Sequence, residues 1–450
     1  MSDTNRPKII VIDDDPTGSQ TVHSCLLLLK WDVATLKQGL LDDSPIFFIL
    51  ANTRSMTPTE AERTTREVCN NLKQALAITD TQEYLVVSRS DSTLRGHYPL
   101  ETDVIAAELG PFDAHFMVPA FFDAGRITLD STHYIETDGV RTPVNKTEFA
   151  KDSVFSYSHS YLPDYVAEKT AGKITAEQVA RFTLDVVRQE AIEQLITLSN
   201  NVCVAVDAQK QSDLDSFSQG VLAAAAQGKK FLFRSAASLL TSLAALPPQP
   251  VAADAMNRYT RNHKPGVILV GSHVQKTTRQ LKYLLQQSGV VGIEVNVSRL
   301  YEDPNQADTI VTDILAQVQT AYGQGQTAVI YTSRKELTFD DVATRLAFGE
   351  AVSHLLMDIV RGLPADLGFL ISKGGITSND TLSKGLSLTS ARLLGQVIPG
   401  VSVITTGAAH PQFPNLPVVL FPGNVGEDEA VVAAYQRMAS ATNSGSTGVL

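Results

Sequence analysis

Pro7–Gly18 reads PKIIVIDDDPTG, an apolar run rich in β-branched residues that drives into three carboxylates and then a turn. Ile9–Ile12 has the continuous apolar character of a strand covered on both faces, the mark of a parallel sheet between helices. Ligands in open α/β sheets bind outside the carboxyl ends of such strands. Asp13, Asp14 and Asp15 stand at that end, and Pro16-Thr17-Gly18 bends the chain away. Adjacent carboxylates repel one another, so a metal, a substrate hydroxyl in need of a base, or a nearby Arg has to compensate them. A plain turn with an N-cap for the next helix would use the same residues without any chemistry.

The pattern recurs downstream. Ile46–Ala51 is a second buried strand, followed by Asn52-Thr53-Arg54-Ser55, and Thr57-Pro58-Thr59-Glu60 then opens a helix with Thr57 as N-cap. Tyr84–Val87 runs into SRSDSTLRGH, and His115–Val118 into PAFFDAGR. Thr175–Leu198 reads as a long amphipathic helix, Val202–Val206 as a strand ending in Asp207, and Phe231–Leu246 as the most apolar helical candidate. Repeated βα units predict a parallel sheet between helices. Leu246–Gly266, with Pro247-Pro248-Gln249-Pro250, breaks the rhythm and is expected to be a semi-rigid connection about which two domains could close. Strands at Val267–Val270, Ala328–Tyr331, Gly368–Ile371 and Val418–Phe421 form a second run. The expected domains are therefore 1–245, the connection 246–266, 267–438, and a Ser/Thr/Gly-rich tail from Ala439. No internal repeat is evident.

A chain of 450 residues exceeds one ordinary core, in keeping with two domains. Its 43% hydrophobic and 19% charged content is that of a globular protein. A net charge of −11 argues against nucleic acid held on a large basic surface, but leaves room for an anionic substrate bound by a few local cations. Cys25, Cys69 and Cys203 are far apart and have no zinc spacing. The first residues do not resemble a signal peptide, and no apolar run approaches a membrane span. A cytoplasmic protein without a membrane partner is expected.

Three strand ends in the first half carry Asp or Arg. Ser88–His97 offers Arg89, Asp91, Ser92, Thr93 and Arg95; an Arg fork binds carboxylate or phosphate, and hydroxyls orient sugar hydroxyls. In Pro119–Arg126, Gly125 lets the backbone beside Arg126 approach a ligand. Together they describe a mixed-charge crevice for a small hydroxylated anion, although each alone could be a solvated turn. The second half carries glycine turns instead. Gly271-Ser272-His273 leads into a helix; Lys373-Gly374-Gly375-Ile376-Thr377 offers an anion nest of exposed N–H groups; and Pro422-Gly423-Asn424-Val425-Gly426 is a third such turn. None is a Walker A loop. The nine histidines show no metal-ligand spacing, and none of them, His23, His97 and His273 included, is given a catalytic role.

The ordered set of an acidic strand end with TG, DSTLRG, PAF…GR, a GS turn, GGIT and PGNVG resembles the four-carbon acid sugar kinase family, from Ile10 to about Arg437. The resemblance implies two α/β domains, each a largely parallel sheet flanked by helices. The N-terminal one would bind the acid sugar and the C-terminal one ATP, with Mg²⁺, and the reaction would lie in the cleft between them. It places Asp14 and Asp15 on the family's acidic pair and Asp91, Ser92 and Arg95 on its DSTLRG loop. Ser272, Gly374, Gly375, Ile376, Thr377 and Gly423 fall on its ATP-contacting positions. The chain departs from the family's usual ADDLTGA turn, having DDDPTGS followed by Gln20 and Thr21, and His273-Val274 stand where small polar residues are usual. The first departure concerns which acid is bound.

The resulting expectation is transfer of phosphate from ATP to a hydroxyl of a small sugar acid, a tetronate or 3-oxo-tetronate. Asp14 would be the base, with Asp91 as the alternative. Arg95 with Ser92 would clamp the carboxylate, joined at the site by Arg126. Asp15 would hydrogen-bond substrate or hold Mg²⁺, and Lys373 would stand near the phosphates. A different α/β enzyme of sugar acids, or a sensor that binds such ligands without turnover, remains open; no GxGxxG follows the first strand, which counts against a dinucleotide. A homodimer is expected only from the frequency of two-fold assemblies.

Overall fold

The computed structural model describes residues 6–439 except 190, 273, 335, 336, 340 and 424. His273, Asn424 and the tail beyond 439 thus lie outside the described residues. The chain divides into two compact units, Met1–Pro248 and Gln249–Leu450. Each is a largely parallel sheet flanked by helices.

The first unit contains β1 (Lys8–Asp13), β2 (Leu26–Leu28), β3 (Ile46–Leu50), β4 (Tyr84–Arg89), β5 (Ala114–Val118), β6 (Arg126–Leu129), β7 (Thr132–Thr137), β8 (Val140–Pro143), β9 (Ala180–Phe182), β10 (Val202–Val206) and β11 (Phe231–Ser235). Its main sheet runs β2-β3-β1-β4-β11-β5-β10-β9, and every neighbouring pair is parallel. Ile9–Val11, Phe47–Ile49 and Val86–Val87 have no exposed surface, as strands covered on both faces require. On one face Ile10, Ile12, Phe47 and Ile49 pack against Val68, Leu72 and Ala75 of the helix Pro58–Thr79. That helix starts as the sequence predicts: Thr57 caps it in a reciprocal box with Glu60, and Pro58 opens it.

The second unit contains β12 (Val267–Val270), β13 (Val290–Val295), β14 (Thr327–Thr332), β15 (Leu370–Lys373), β16 (Ser390–Ile398), β17 (Val401–Thr405) and β18 (Pro417–Phe421), in the order β13-β14-β12-β15-β18-β17-β16. The first five strands are parallel, and β17 runs antiparallel to both its neighbours.

The two sheets share a topology that the sequence hides. In each, the first strand lies between the third and fourth of its run: β3-β1-β4 in one unit and β14-β12-β15 in the other. The chain therefore changes direction across the sheet at β1/β4 and at β12/β15, and such switch points open crevices for ligands. The acidic strand end and the DSTLRG loop flank the first switch point; the Gly271-Ser272 and Lys373-Gly374-Gly375 turns flank the second.

Two helical expectations fail. Thr175–Leu198 is broken into a turn at Ala176–Gln178, strand β9 and the short helices Leu184–Val187 and Ile192–Thr197. Pairing of Ala180–Phe182 with β10 outweighs the local periodicity. In Phe231–Leu246 only Ala237–Ala244 is helical, because Phe231–Ser235 is inserted between β4 and β5. Within 246–266, residues from Gln249 onward belong to the second unit: Met256 is fully buried in its core, and Gln249 bonds the Gln396 backbone.

Candidate active site

The site in the first unit is built on a forced turn. A Cβ on Gly18 would stand 2.1 Å from both carboxylate oxygens of Asp13, so only glycine lets the turn fold back over β1. The carbonyl of Asp13 accepts from the amides of Ala51 and Asn52 at 2.9 and 3.1 Å, and Asn52 takes a left-handed conformation at φ 52°. The following turn, Thr53–Ser55, lays Arg54 over the acidic residues.

The compensating charge is arginine. Arg54 donates through Nε to Asp14 Oδ2 at 3.0 Å and through Nη2 to Asp14 Oδ1. Its Nη1 reaches Asp15 at 3.2 Å and lies 3.9 Å from Asp91. Arg89 Nη1 stands 3.3 Å from Asp13 and 3.6 Å from Asp14. Burial pushes the Asp91 carboxyl up, but Arg54 and Arg95 outweigh it and hold the group well below the usual carboxylate range. Asp15 is also held low against burial, by Arg54, Arg89 and Thr17. Burial carries Asp13 the other way, up to about 7 against the pull of Arg89. Glu101 is likewise pushed to about 7, by burial and then by Asp14.

The DSTLRG loop is fixed carbonyl by carbonyl. Arg234 donates to the carbonyls of Asp91 and Arg95, both at 3.0 Å. His133 Nε2 binds that of Ser92 at 2.7 Å, Tyr157 that of Thr93 at 2.6 Å, and Tyr165 that of Leu94 at 2.7 Å. Burial, with Arg234 and Arg126 nearby, pushes His133 down to about 4, so its imidazole is neutral and Nε2 carries the proton given to Ser92. Gly96, at φ 120°, lets the loop close on Ser90, whose hydroxyl donates to Asp14 at 2.8 Å. The loop's shape is thus set before any ligand arrives.

Of the residues read from the sequence, Asp14, Asp15, Asp91, Ser92 and Arg95 come together here. Arg95 bonds Asp91 at 2.8 Å and lies 3.5 Å from Asp152, so its guanidinium is already paired. Arg126 lies beside Arg95, each within 6 Å of the Phe149 ring centroid, at 5.9 and 5.1 Å. Sequence reasoning missed Arg54, Arg234, His133, Tyr157 and Tyr165. Arg54 carries only the signal of a cation just after the apolar strand Ile46–Leu50, and the pairing of that strand with β1 is what gives it its role. Arg234 could have been found as a charge closing an apolar strand. The aromatic residues gave no local signal. His97 is an internal brace, its Nε2 lying 3.1 Å from the carbonyls of Thr53 and Met56.

In the second unit, Gly374 adopts φ 121°, and a Cβ there would press on Ser272 and Thr377 at 3.3 Å. Gly271 admits Thr377 in the same way, since a Cβ would meet its hydroxyl at 2.4 Å. The Gly374 amide binds the Phe421 carbonyl at 2.8 Å. The amides of Gly375, Ile376 and Thr377 open a helix and so have no acceptor within it. Ile376 is 74% exposed. Lys373 is buried and does not project from the turn: its ammonium bonds the carbonyls of Pro422 and Gly423 and lies 4.5 Å from the Phe421 ring centroid. It holds the third glycine turn against the second. Thr277 and Gln280, also missed, fasten the same segment through Gly423, Val425 and Glu427. Arg334 bonds the carbonyls of Ser272 and Thr332 at 2.7 and 2.9 Å.

Neither Lys373 nor Arg334 forms an ion pair among the described residues. Burial, reinforced by Lys276, pushes Lys373 down to about 7. Two basic side chains outside any ion pair, beside open amides, favour a polyanion there, although Glu294 acts on Arg334 from further off. Among the described residues no three His, Cys, Asp or Glu side chains converge as a metal centre would, and no helix is long and apolar enough to cross a membrane.

Comparison with known proteins adds to this geometry. Residues 9–243 match the family model of a sugar-binding N-terminal domain, and residues 267–431 that of a nucleotide-binding C-terminal domain. The D-erythronate kinase of Heliobacterium modesticaldum is 25% identical over 94% of this chain and 95% of its own. The D-threonate kinase of Bordetella bronchiseptica is 25% identical over 96% and 97%. A solved structure from Salmonella typhimurium LT2 superposes with a TM-score of 0.71 at 18% identity, covering 95% of this chain and 98% of its own. The Haemophilus influenzae protein HI1011 gives 0.62 at 17%, covering 95% and 100%; both establish the fold alone.

Proposed function

We propose that this chain, which belongs to the four-carbon acid sugar kinase family, transfers the γ-phosphoryl group of ATP to a hydroxyl of a four-carbon sugar acid. The observation that carries the reading is the buried Lys373 and the half-buried Arg334, neither in an ion pair among the described residues, around the glycine turns of the second unit. A nucleoside triphosphate brings negative charge to them.

ATP is held by the amides of Gly375, Ile376 and Thr377, with Ser272 and Gly423 on the flanking turns. Lys373 and Arg334 act by fixing those turns and by their charge. Mg²⁺ is satisfied by one or two protein ligands when nucleotide oxygens complete its shell, and the hydroxyls of Ser272 and Thr377 are the residues here that fit it. When bound, it supplies charge neutralisation on the phosphates. Asp15 fits it less well, because its carboxylate already accepts from Thr17 and Arg54.

The acid is taken by the first unit. Asp14, aligned by Arg54 and Ser90, accepts the proton of the attacked hydroxyl. Asp91 is poorly suited to that role, since a carboxylate held far below its usual range has little affinity for a proton. The three buried cysteines are free, which supports a reducing cytoplasm.

The test is ADP release by purified protein with Mg-ATP against D- and L-threonate, D- and L-erythronate, their 3-oxo forms and longer aldonates. Acid-dependent ADP formation is expected. ATP binding with silence across the panel would replace the kinase by a sensor, and no ATP binding would overturn the reading of the second unit.

A further inference from the structure

The guanidiniums at the first switch point are not equivalent. Arg54 and Arg89 are paired with Asp13, Asp14 and Asp15, and Arg95 with Asp91 and Asp152. Arg234 is fully buried and gives its N–H groups to Ser90 and to the carbonyls of Asp91 and Arg95. Arg126 shares with Arg234 a buried Nε without a hydrogen-bond partner and the lack of an ion pair among the described residues, but it is only half-buried, and it donates through Nη1 to the Ala124 carbonyl.

Its placement is built. Gly125 stands at φ 70°, where a Cβ would lie 2.2 Å from the Glu136 carbonyl, so only glycine lets β7 close on this turn. The Arg126 backbone exchanges hydrogen bonds with Phe121 at 2.9 and 3.0 Å. Phe149, presented by the short turn Glu148–Lys151, offers its ring to Arg126 and Arg95 together. An arginine laid against an aromatic ring keeps in-plane N–H groups for a carboxylate; in Arg126 these centre on Nη2, since Nε is buried and Nη1 already donates to Ala124.

We propose that Arg126, laid against Phe149, receives the carboxylate of the acid, and that Arg95 instead fixes Asp91. This rests on the acid-binding reading of the first unit. A carboxylate completes the one half-buried guanidinium of the site that forms no ion pair among the described residues, Asp91 acting on it only from a distance, whereas binding to Arg95 would have to displace Asp91 and Asp152. Arg126 is then what makes the enzyme select acids over neutral polyols, and Phe149 sets the plane in which the carboxylate lies.

The experiment compares D-erythronate and D-threonate with their uncharged amides, titrated calorimetrically into wild type, Arg126→Met, Arg126→Lys, Arg95→Met and Phe149→Leu, alongside kcat/KM for the acids and KM for ATP. Arg126→Met should weaken acid binding about 10- to 100-fold, the range of a lost charge-assisted pair, leave amide binding unchanged, and so abolish the preference. Arg126→Lys should recover part of it, Phe149→Leu should lose it several-fold, and ATP KM should not move. Arg95→Met should lower turnover while keeping the acid-over-amide preference. Acid binding by Arg126→Met within about 3-fold of wild type, or an equal fall for acid and amide, would overturn the proposal. So would loss of the preference in Arg95→Met, or a wild type that binds neither acid. Should Arg126→Met not fold, Arg126→Lys and Phe149→Leu carry the decision. Acid binding without ADP formation would sink the kinase reading while still deciding the role of Arg126.

Discussion

At the residue scale, Arg54 does most to hold the acidic cluster together. It bridges Asp14, Asp15 and Asp91, and its side chain is only 18% exposed. Removing one partner of a buried charge cluster leaves the others uncompensated, at a cost of about 3–5 kcal/mol. Arg54→Met should therefore lower the melting temperature by roughly 10 °C at neutral pH. The sign with pH follows from the carboxylates. Asp15 and Asp91 are held low, so their stabilisation is present above the unfolded carboxylate range and is lost as pH falls. The gap between variant and wild type should begin to narrow only as pH falls below about 4, which melting curves across acid pH would check. Asp13 and Glu101 act oppositely: being raised to about 7, their contribution is full at low pH and is lost as pH rises through neutrality. Asp14→Asn should remove turnover while leaving ATP binding nearly intact; an equal loss of both would take Asp14 out of the substrate half. The acidic triplet was legible because three carboxylates closing an apolar strand are costly without a partner. Arg54 was not, because its role depends on β3 lying beside β1, which no local pattern states.

At the level of elements, the continuous apolar strands and the glycine turns could be read from the sequence. The antiparallel hairpin of β6–β8 went unread although its turns are signalled: Asp138-Gly139 and Asp130-Ser131 both take positive φ, as tight hairpin turns demand. The supposed helix over Thr175–Leu198 shows the reverse failure, a periodicity overridden by strand pairing. The glycine turns of the second unit yield two predictions. Gly374→Ala adds strain at φ 121° and pressure on Ser272 and Thr377, and should destabilise by about 1–3 kcal/mol while raising the KM for ATP. Lys373, pushed down to about 7, regains its proton when phosphates arrive. Mg-ADP binding at pH 8 should thus take up a proton, an uptake that fades toward pH 6 and vanishes in Lys373→Met. Calorimetry in buffers of different ionisation enthalpy measures it.

For the whole molecule, the same β3-β1-β4 and β14-β12-β15 arrangement gives each unit a switch point, the place where open α/β sheets bind ligands. At one switch point stands a lattice of paired aspartates and arginines, and at the other a set of glycine turns with Lys373 and Arg334, which form no ion pair among the described residues. Hydrogen exchange should separate them. Mg-ADP is expected to protect 271–277, 374–379 and 421–426, and the acid 13–20, 53–56 and 90–97. Protection of both sets by either ligand alone would contradict the division of labour. The central claim is that the γ-phosphoryl group ends on a hydroxyl of the acid. Phosphorus NMR of the protein with Mg-ATP and its best acid tests it directly. A new phosphomonoester resonance, coupled to a carbon-bound proton, is expected to grow in step with ADP and to be absent with Asp14→Asn. Inorganic phosphate in its place, or the same ester formed at wild-type rate by Asp14→Asn, would contradict it.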